Sequence, residues 1–298
     1  MKKNIIIGTR GSDLALWQAH FVKNSLEALG YDCLLNIIKT QGDQIQHLSL
    51  DKLEGKGFFT KEIEEALLRK EIDLAVHSHK DLETEQPAGL TIAAVSHRED
   101  PSDLLLIRKE CVDSTQKYNL KQGAQVGTSS SRRKAQMLHY RKDVELLDIR
   151  GNVPTRVQKL RDGHFEAILL AKAGVHRLQL DLSDLHVEVL HPEDFVPAPA
   201  QGVLAIQCRE EDAEMRSILS HLHHTDVAEL IHIERSVLNR MQGGCHLPLG
   251  VYARKTEDEY EVHVSMAPTW DAPNRHLTFI SDNAEALITQ IVAEIKPQ

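Results

Sequence analysis

One local pattern occurs twice in this chain, about 120 residues apart. At 4–8 the apolar run NIIIG leads through Gly-Thr into a polar turn and then into a helical pattern that Ser12 can cap. At 124–131 the segment AQVGTSSS leads in the same way into SRRKAQMLHY. A buried strand, a turn and an amphipathic helix are the units of a parallel α/β sheet. The repeat therefore predicts two α/β domains of similar plan.

Strand-like and helical segments continue to alternate along the chain. Further strands are predicted at 34–40, 72–76, 144–149, 166–171 and 203–208. Helices are predicted from Ser12 to Gly30, after Thr60, from Ser131 and over 226–241. From Val251 the chain alternates as in strands and ends in a helix near 284–295, which predicts a small α+β third domain. REDPSD (98–103) and FVPAPAQG (195–202) have the composition of connectors between domains.

Composition and charge exclude several classes of protein. The chain has 298 residues, more than one hydrophobic core usually serves, and 41% of them are hydrophobic, as in soluble globular proteins. The net charge of −9 argues against a general nucleic-acid binder. The start, MKKNIIIG, is too short an apolar run for an export signal, and no segment is long enough to span a membrane, so we expect a cytoplasmic protein. The four cysteines form no CxxC pair and are expected to be free thiols.

Positive charge is concentrated at one place in this acidic chain. Residues 121–161 hold ten Lys or Arg and three acids, a local net charge of +7. Thr128, Ser129 and Ser130 would lie at a helix N-terminus, where free N–H groups and the helix dipole favour an anion. The arginines that share this edge of the predicted sheet, or the matching edge of the first half, are Arg10, Arg132, Arg133, Arg150 and Arg156. Carboxylate and phosphate fit this set equally well, and solvated helix faces are the alternative, but no nucleotide motif is present.

An acid and a thiol are the other candidates for chemistry. Asp81 follows the third predicted strand beside Lys80, where a carboxylate could stabilise a cation or move a proton, or could simply cap a turn. Cys245 lies in GGCHLPLG, where the glycines leave the sulfur accessible for covalent attachment; an ordinary buried cysteine is the alternative. The histidines of AVHSHKDLE and HLHHTD lack the spacing and partners of a metal site, so we expect no metal.

Seven blocks of the sequence, in order, resemble the porphobilinogen deaminase family. They are TRGSDLALWQA, GKGFFTKE, AVHSHKDL, VGTSSSRRKAQ, RGNVPTR, PAPAQG and GGCHLPLG. The resemblance covers nearly the whole chain. It implies a monomeric cytoplasmic transferase of tetrapyrrole (haem) biosynthesis that joins four porphobilinogen molecules head to tail into hydroxymethylbilane and releases ammonia.

The resemblance also assigns roles to residues. In this family a dipyrromethane cofactor, built from two substrate units, is held by a thioether to the cysteine that matches Cys245. Asp81 matches the catalytic aspartate, which helps ammonia to leave and stabilises the resulting azafulvenium cation. The residues that match the positions binding cofactor or substrate carboxylates are Arg10, Ser12, Lys80, Thr128, Ser129, Ser130, Arg132, Arg133, Arg150, Arg156 and Arg177.

The family fold implies three domains. Residues 1–97 with 202–220 would form domain 1, residues 102–197 domain 2, and residues 225–298 domain 3, which carries the cysteine. The first two would resemble periplasmic binding proteins, with the active site in the cleft between them and a lid at 43–60. Three residues depart from the usual family pattern, namely Glu83 in place of proline, Ser131 in place of leucine and Ala200 in place of glycine.

Two other functions share parts of this pattern. A two-domain receptor for a carboxylate ligand would use the same fold and the same anion-binding helix ends, but it would not need Asp81 or Cys245. An acyl transferase with a cysteine nucleophile would need a base on the thiol, and His246 is adjacent to it in sequence only. The fold cannot choose among these functions, so the site must.

Overall fold

A computed structural model describes residues 4–40, 60–242 and 247–296 of the chain. It divides into two compact units, one made of Met1–Glu99 and Gly202–Glu229, the other of Asp100–Gln201 and Leu230–Gln298. The separation of 225–298 as a third domain stays a prediction, and the predicted lid at 43–60 lies outside the described residues except for Thr60.

The first unit is an α/β sheet with helices on both faces. Its strands are β1 (Ile5–Thr9), β2 (Cys33–Ile37), β3 (Leu74–Ser78), β4 (Leu90–Val95) and β10 (Leu204–Arg209), in the order β2-β1-β3-β10-β4. Its helices are α1 (Asp13–Ala28), α2 (Lys61–Leu68) and α6 (Ala213–Ser220). Strands β1, β2 and β3 are parallel, and β10 runs antiparallel to both of its neighbours. The apolar side of α1 packs on one face of the sheet through Ala19, Val22 and Leu26.

The second unit contains a sheet of the same plan. Its strands are β5 (Asp103–Arg108), β6 (Gln125–Gly127), β7 (Glu145–Leu147), β8 (Ala167–Ala171) and β9 (Leu185–Leu190), in the order β7-β6-β8-β5-β9. Its helices are α3 (Ser131–Tyr140), α4 (Val153–Arg161) and α5 (Lys172–Arg177). Strands β6, β7 and β8 are parallel, and β5 is antiparallel to β8 and β9. The repeat read from the sequence thus corresponds to β1 and β6, which hold equivalent places in their two sheets.

The Gly-Thr step of the repeat has a steric cause in both sheets. A Cβ atom on Gly127 would lie 2.9 Å from the ring of Phe165, and one on Gly8 would overlap the side chain of Ile72. Phe165 and Ile72 are buried residues that precede β8 and β3. Each glycine therefore lets its strand pass close to a bulky core side chain just before the chain turns out of the sheet.

The last part of the second unit is a small antiparallel sheet. Strands β11 (Leu249–Thr256), β12 (Glu259–Met266) and β13 (Arg275–Ser281) form it, and it packs against helices α7 (Thr225–Arg240) and α8 (Ala284–Ile295). The buried carboxylate of Glu234 in α7 accepts backbone hydrogen bonds from Ala253 in β11, at 2.8 Å, and from Ala200, at 2.7 Å. Ala200 has a φ of +64°, a conformation that explains why glycine is usual there.

The predicted α/β class is confirmed, and each predicted strand and helix is present with bounds shifted by a few residues. Strands β4, β5 and β9 were not predicted. Leu90–Val95 follows a turn-rich segment, and Asp103–Arg108 begins inside the stretch interpreted as a connector. Among the helices of the described residues, none is both long and apolar enough to cross a membrane.

Candidate functional site

The carboxyl ends of β1 and β3 bring four of the predicted site residues to one edge of the first sheet. Arg10 and Ser12 follow β1, and Lys80 and Asp81 follow β3, which is the neighbouring parallel strand. The Ser12 hydroxyl accepts the backbone N–H of Ala15 at 3.4 Å and so caps α1, as predicted. This edge is where open α/β sheets bind ligands.

Asp81 ends a single 3₁₀ turn, His79–Asp81, and its side chain is exposed. Two backbone hydrogen bonds fix the turn, from His79 N–H to the carbonyl of Val203, at 2.9 Å, and from Leu82 N–H to the carbonyl of His79, at 3.3 Å. Leu82 is buried and anchors the far end. The carboxylate is therefore presented to solvent from a fixed backbone.

A buried polar network lies beneath this turn. His77 Nε2 is 3.1 Å from Gln207 Oε1, and the Gln207 amide donates to Gln86 Oε1 at 2.8 Å and to Glu64 Oε1 at 3.2 Å. The pKa of His77 is lowered to about 4, chiefly by burial and also by the positive charge of Arg10, against the opposing effect of the bond to Gln207. His77 is consequently neutral near pH 7 and packs as a hydrogen-bonded core residue.

In the second unit, the hydroxyl loop Thr128–Ser130 follows β6 at the corresponding edge. Ser129 Oγ donates to the Ile149 carbonyl at 2.8 Å and accepts the Ile149 N–H at 3.0 Å. Ser130 caps α3 by accepting the N–H of Arg133, at 3.5 Å. Thr128 is buried, and its Oγ1 accepts the N–H of Ser130 at 3.3 Å. Ser129 thus joins the loop to the segment after β7, while Thr128 and Ser130 fix the conformation of the loop and the start of α3.

Three further predicted arginines lie at the same edge. Arg150 follows β7 and is half-buried, and Arg156 lies in α4, where its Nε donates to the Gly151 carbonyl at 2.8 Å. Arg177 is a buried residue of α5, the helix that follows β8. Because β6, β7 and β8 are parallel, the segments that follow them meet at one edge of the sheet.

Arg132 and Arg133 form a buried ion-pair cluster with Asp103. Arg132 Nη2 is 2.8 Å from Asp103 Oδ2, and Arg133 Nη2 donates to Asp103 Oδ1 at 2.7 Å. Asp103 is fully buried, and it begins β5 opposite Ala171, which places it at this same edge. Burial alone would raise the pKa of Asp103, but the two guanidinium charges hold that pKa well below its usual range. Both arginines therefore stabilise the fold, in addition to any ligand that they bind.

The cluster also holds the predicted connector in place. Arg132 Nη1 and Gln136 Nε2 both donate to the Val196 carbonyl, at 2.8 and 2.9 Å, and the Gln136 carbonyl oxygen accepts the Val196 N–H at 2.6 Å. The Gln201 amide donates to Asp103 Oδ1 at 2.9 Å. The segment 195–201 is thus bonded at both of its ends to the groups around α3.

Replacing Asp103 with asparagine is expected to lower the free energy of unfolding by about 3–5 kcal/mol, because two buried guanidinium groups lose their shared counter-charge. Urea denaturation measures this loss. Asp148→Asn is the matched control, since Asp148 also pairs with a cation, Lys134, at 2.7 Å, but its side chain is 45% exposed. That variant should lose less than about 1 kcal/mol. Equal losses in the two variants would contradict the role of Asp103 as the buried counter-charge of the two arginines.

The donors at this edge suit a ligand with several carboxylates. The Nε of Arg133 is buried and has no hydrogen-bond partner within the described ranges, so it can serve a ligand oxygen. Arginines present forked N–H donors that match carboxylate geometry. The residues of the second unit therefore fit a cofactor that carries acidic side chains.

The predicted attachment site, Cys245, lies outside the described residues, as does His246. Cys33, Cys111 and Cys208 are buried free thiols, as predicted for them. Burial raises the pKa of the Cys208 thiol to about 11, so this thiol is un-ionised near pH 7. Within 4–40, 60–242 and 247–296, no group of His, Cys, Asp or Glu side chains is arranged to hold a metal ion.

Asp103 was missed in the sequence, because REDPSD was interpreted only as a connector. The available indication was an acid directly before the apolar run LLLI, where a strand would carry it to a sheet edge. Its partners lie about 30 residues further along the chain, and no local pattern connects them.

Comparisons with known proteins give a consistent result. Residues 5–217 match the family model "Porphobilinogen deaminase, dipyromethane cofactor binding domain", and residues 228–278 match "Porphobilinogen deaminase, C-terminal domain". A porphobilinogen deaminase of Chloroherpeton thalassium is 48% identical over 85% of this chain and 80% of that protein. One of Nitratidesulfovibrio vulgaris is 47% identical over 86% and 81%. Among solved structures, the BvgS periplasmic VFT2 domain of Bordetella pertussis matches with a TM-score of 0.43 and 13% identity. The match covers 72% of this chain and 85% of that one, and the likeness is too low to carry an argument.

Proposed function

Because the chain belongs to the porphobilinogen deaminase family, whose reaction it catalyses on a bound dipyrromethane cofactor, we propose specific roles for its residues in that reaction. The observation that carries the proposal is the collection of arginine and hydroxyl side chains at the carboxyl edge of the second sheet, together with an exposed aspartate at the equivalent edge of the first. We place the cofactor on Cys245 and the protein, as a monomer, in the cytoplasm.

The cationic residues bind the carboxylates of cofactor and substrate. Each porphobilinogen unit carries an acetate and a propionate, so the anionic charge of the bound chain grows with every ring. Beside the second sheet, these carboxylates are bound by Arg150, Arg156 and Arg177, together with the Nε of Arg133. Beside the first sheet, they are bound by Arg10 and Lys80. Ser12, Thr128, Ser129, Ser130 and Arg132 shape these edges through the contacts described above. The cofactor, when bound, supplies the pyrrole carbon to which substrate is joined.

Asp81 provides an exposed negative charge at the edge of the first sheet, next in sequence to Lys80. Loss of ammonia from porphobilinogen leaves a cationic carbon, and a fixed carboxylate stabilises that charge where it develops. The backbone bonds of the 79–81 turn keep the carboxylate in position without reorganisation. The nearby His77 is held neutral, so it adds no competing positive charge near pH 7.

Mass spectrometry tests the assignment of Cys245. The purified chain should exceed the mass of its sequence by two porphobilinogen units less two ammonias, or should gain that mass on incubation with porphobilinogen. The added mass should map to the tryptic peptide 241–254, which contains Cys245 and no other cysteine. A bare mass before and after incubation would favour the alternative of a carboxylate receptor, and a label on Cys33, Cys111 or Cys208 would contradict the attachment site.

A further inference from the structure

The turn that joins β12 to β13 carries an exposed tryptophan. Trp270 is one of two tryptophans in the chain, and 40% of its surface is accessible. The turn around it is well defined, because Thr269 Oγ1 donates to Asp271 Oδ1 at 2.7 Å and Ala272 N–H donates to the Thr269 carbonyl at 3.2 Å. An indole held out on a fixed turn contributes little to the core and presents an aromatic surface to solvent.

Trp270 contacts helix α3, which begins at the edge where the hydroxyl loop lies. Lys134 Nζ lies 5.1 Å from the centroid of the indole ring, within the range of a cation–π contact. The same ammonium donates to Asp148 Oδ1 at 2.7 Å. Lys134 lies in the first turns of α3, four residues after Ser130, and Asp148 precedes Arg150 by two residues. One face of the indole is therefore anchored beside the carboxylate-binding groups.

The turn also begins beside the segment that follows the cofactor cysteine. Ala267 N–H donates to the carbonyl of Pro248 at 3.2 Å, and Pro248 follows Cys245 by three residues in the chain. At its other end, Asn274 Nδ2 donates to Ser265 Oγ at 2.9 Å and closes the base of the turn. The tryptophan is thus held near the start of β11 on one side and near α3 on the other.

We propose that Trp270 is a stacking platform for a pyrrole ring of the growing chain, an inference that rests on the proposed function. Pyrroles are flat, electron-rich rings, and an indole offers such a ring an offset stack. The carboxylates of the stacked ring would reach towards the edge of the second sheet, where Arg150 follows Asp148 by two residues. Trp270 would in this way guide successive rings away from the reacting end as the chain lengthens.

Two single-tryptophan variants test this contact directly. Trp17→Phe leaves Trp270 as the only indole, and Trp270→Phe leaves Trp17, which stacks on Phe21 in the first unit. Each holoenzyme is loaded stepwise with porphobilinogen, the loaded forms are separated by anion exchange, and intact mass counts their rings. In at least one loaded form, the acrylamide quenching constant of Trp270 should fall about twofold, because a stacked ring covers its exposed face. That of Trp17 should stay unchanged.

Unchanged quenching of Trp270 in forms whose mass shows one, two and three added rings would overturn the proposal and leave the proposed function intact. Failure to add rings at all would overturn both. As a kinetic readout, Trp270→Ala should lower kcat/KM about two- to tenfold, and Trp270→Phe should restore most of it. Ile280→Ala is the matched control, since Ile280 is 57% exposed on β13 and lies outside the turn, and it should leave kcat/KM unchanged. Equal losses in the Trp270 and Ile280 alanine variants would also overturn the proposal.

Discussion

A chain in which serine replaces Cys245 is expected to fold normally, to carry no added mass and to lose nearly all turnover. A hydroxyl is a far weaker nucleophile than a thiolate near pH 7, so the cofactor cannot be attached and no ring can be extended. Intact mass and the rate of hydroxymethylbilane formation measure the two effects. Denaturation midpoints should match those of the unaltered chain in its cofactor-free form, since a bound cofactor would itself stabilise the fold.

Cys33→Ser is the control for this experiment, because Cys33 is a buried thiol in β2 with no role in attachment. That variant should keep the added mass and most of the activity, at some cost in stability. Full activity of the Cys245→Ser chain would remove the thiol from the mechanism.

Asp81→Asn is expected to keep the cofactor and to lower turnover about a thousandfold, since one group placed at a developing charge contributes on this scale. The asparagine has nearly the same shape, and the backbone bonds of the 79–81 turn do not involve the side chain, so the fold should be unaffected. Steady-state kcat with porphobilinogen, with intact mass as a check on the cofactor, measures the effect.

Glu83→Gln provides the matched change for Asp81→Asn. It removes one negative charge two residues away, on the same loop, and should change kcat less than about threefold if the effect is specific to position 81. A loss of less than tenfold in Asp81→Asn, or similar losses in the two variants, would assign Asp81 a structural role.

Local patterns in the sequence predicted much of this fold. The Gly-Thr repeat indicated two equivalent α/β sheets, and the structure gives β1 and β6 the same place in each. Ser12 was predicted as the cap of α1 and Ser131 as the start of α3, and both are confirmed. These features depend on neighbouring residues, which is why a single sequence reveals them.

The features that were missed depend on residues far apart in the chain. Arg132 and Arg133 were interpreted as ligand-binding groups, and nothing nearby in sequence indicated that Asp103 would occupy part of both guanidiniums. Glu234 was not singled out in the sequence, yet it is buried and accepts backbone hydrogen bonds from Ala200 and Ala253. These pairs are 19 to 34 residues apart in the chain. Such pairing is decided by how the elements pack, and periodicity carries no information about it. The roles of Arg10, Arg150, Arg156 and Arg177 stay predictions.

The position of β10 has a consequence for how the chain acquires its fold during synthesis. This strand fills the gap between β3 and β4, yet it is made roughly a hundred residues after β4. At translation rates of about 5–20 residues per second, β3 and β4 keep an unpaired edge for several seconds before β10 is made. Open strand edges invite pairing with other chains. The nascent first unit is therefore incomplete until the second sheet has emerged, and we expect it to depend on chaperones during that interval.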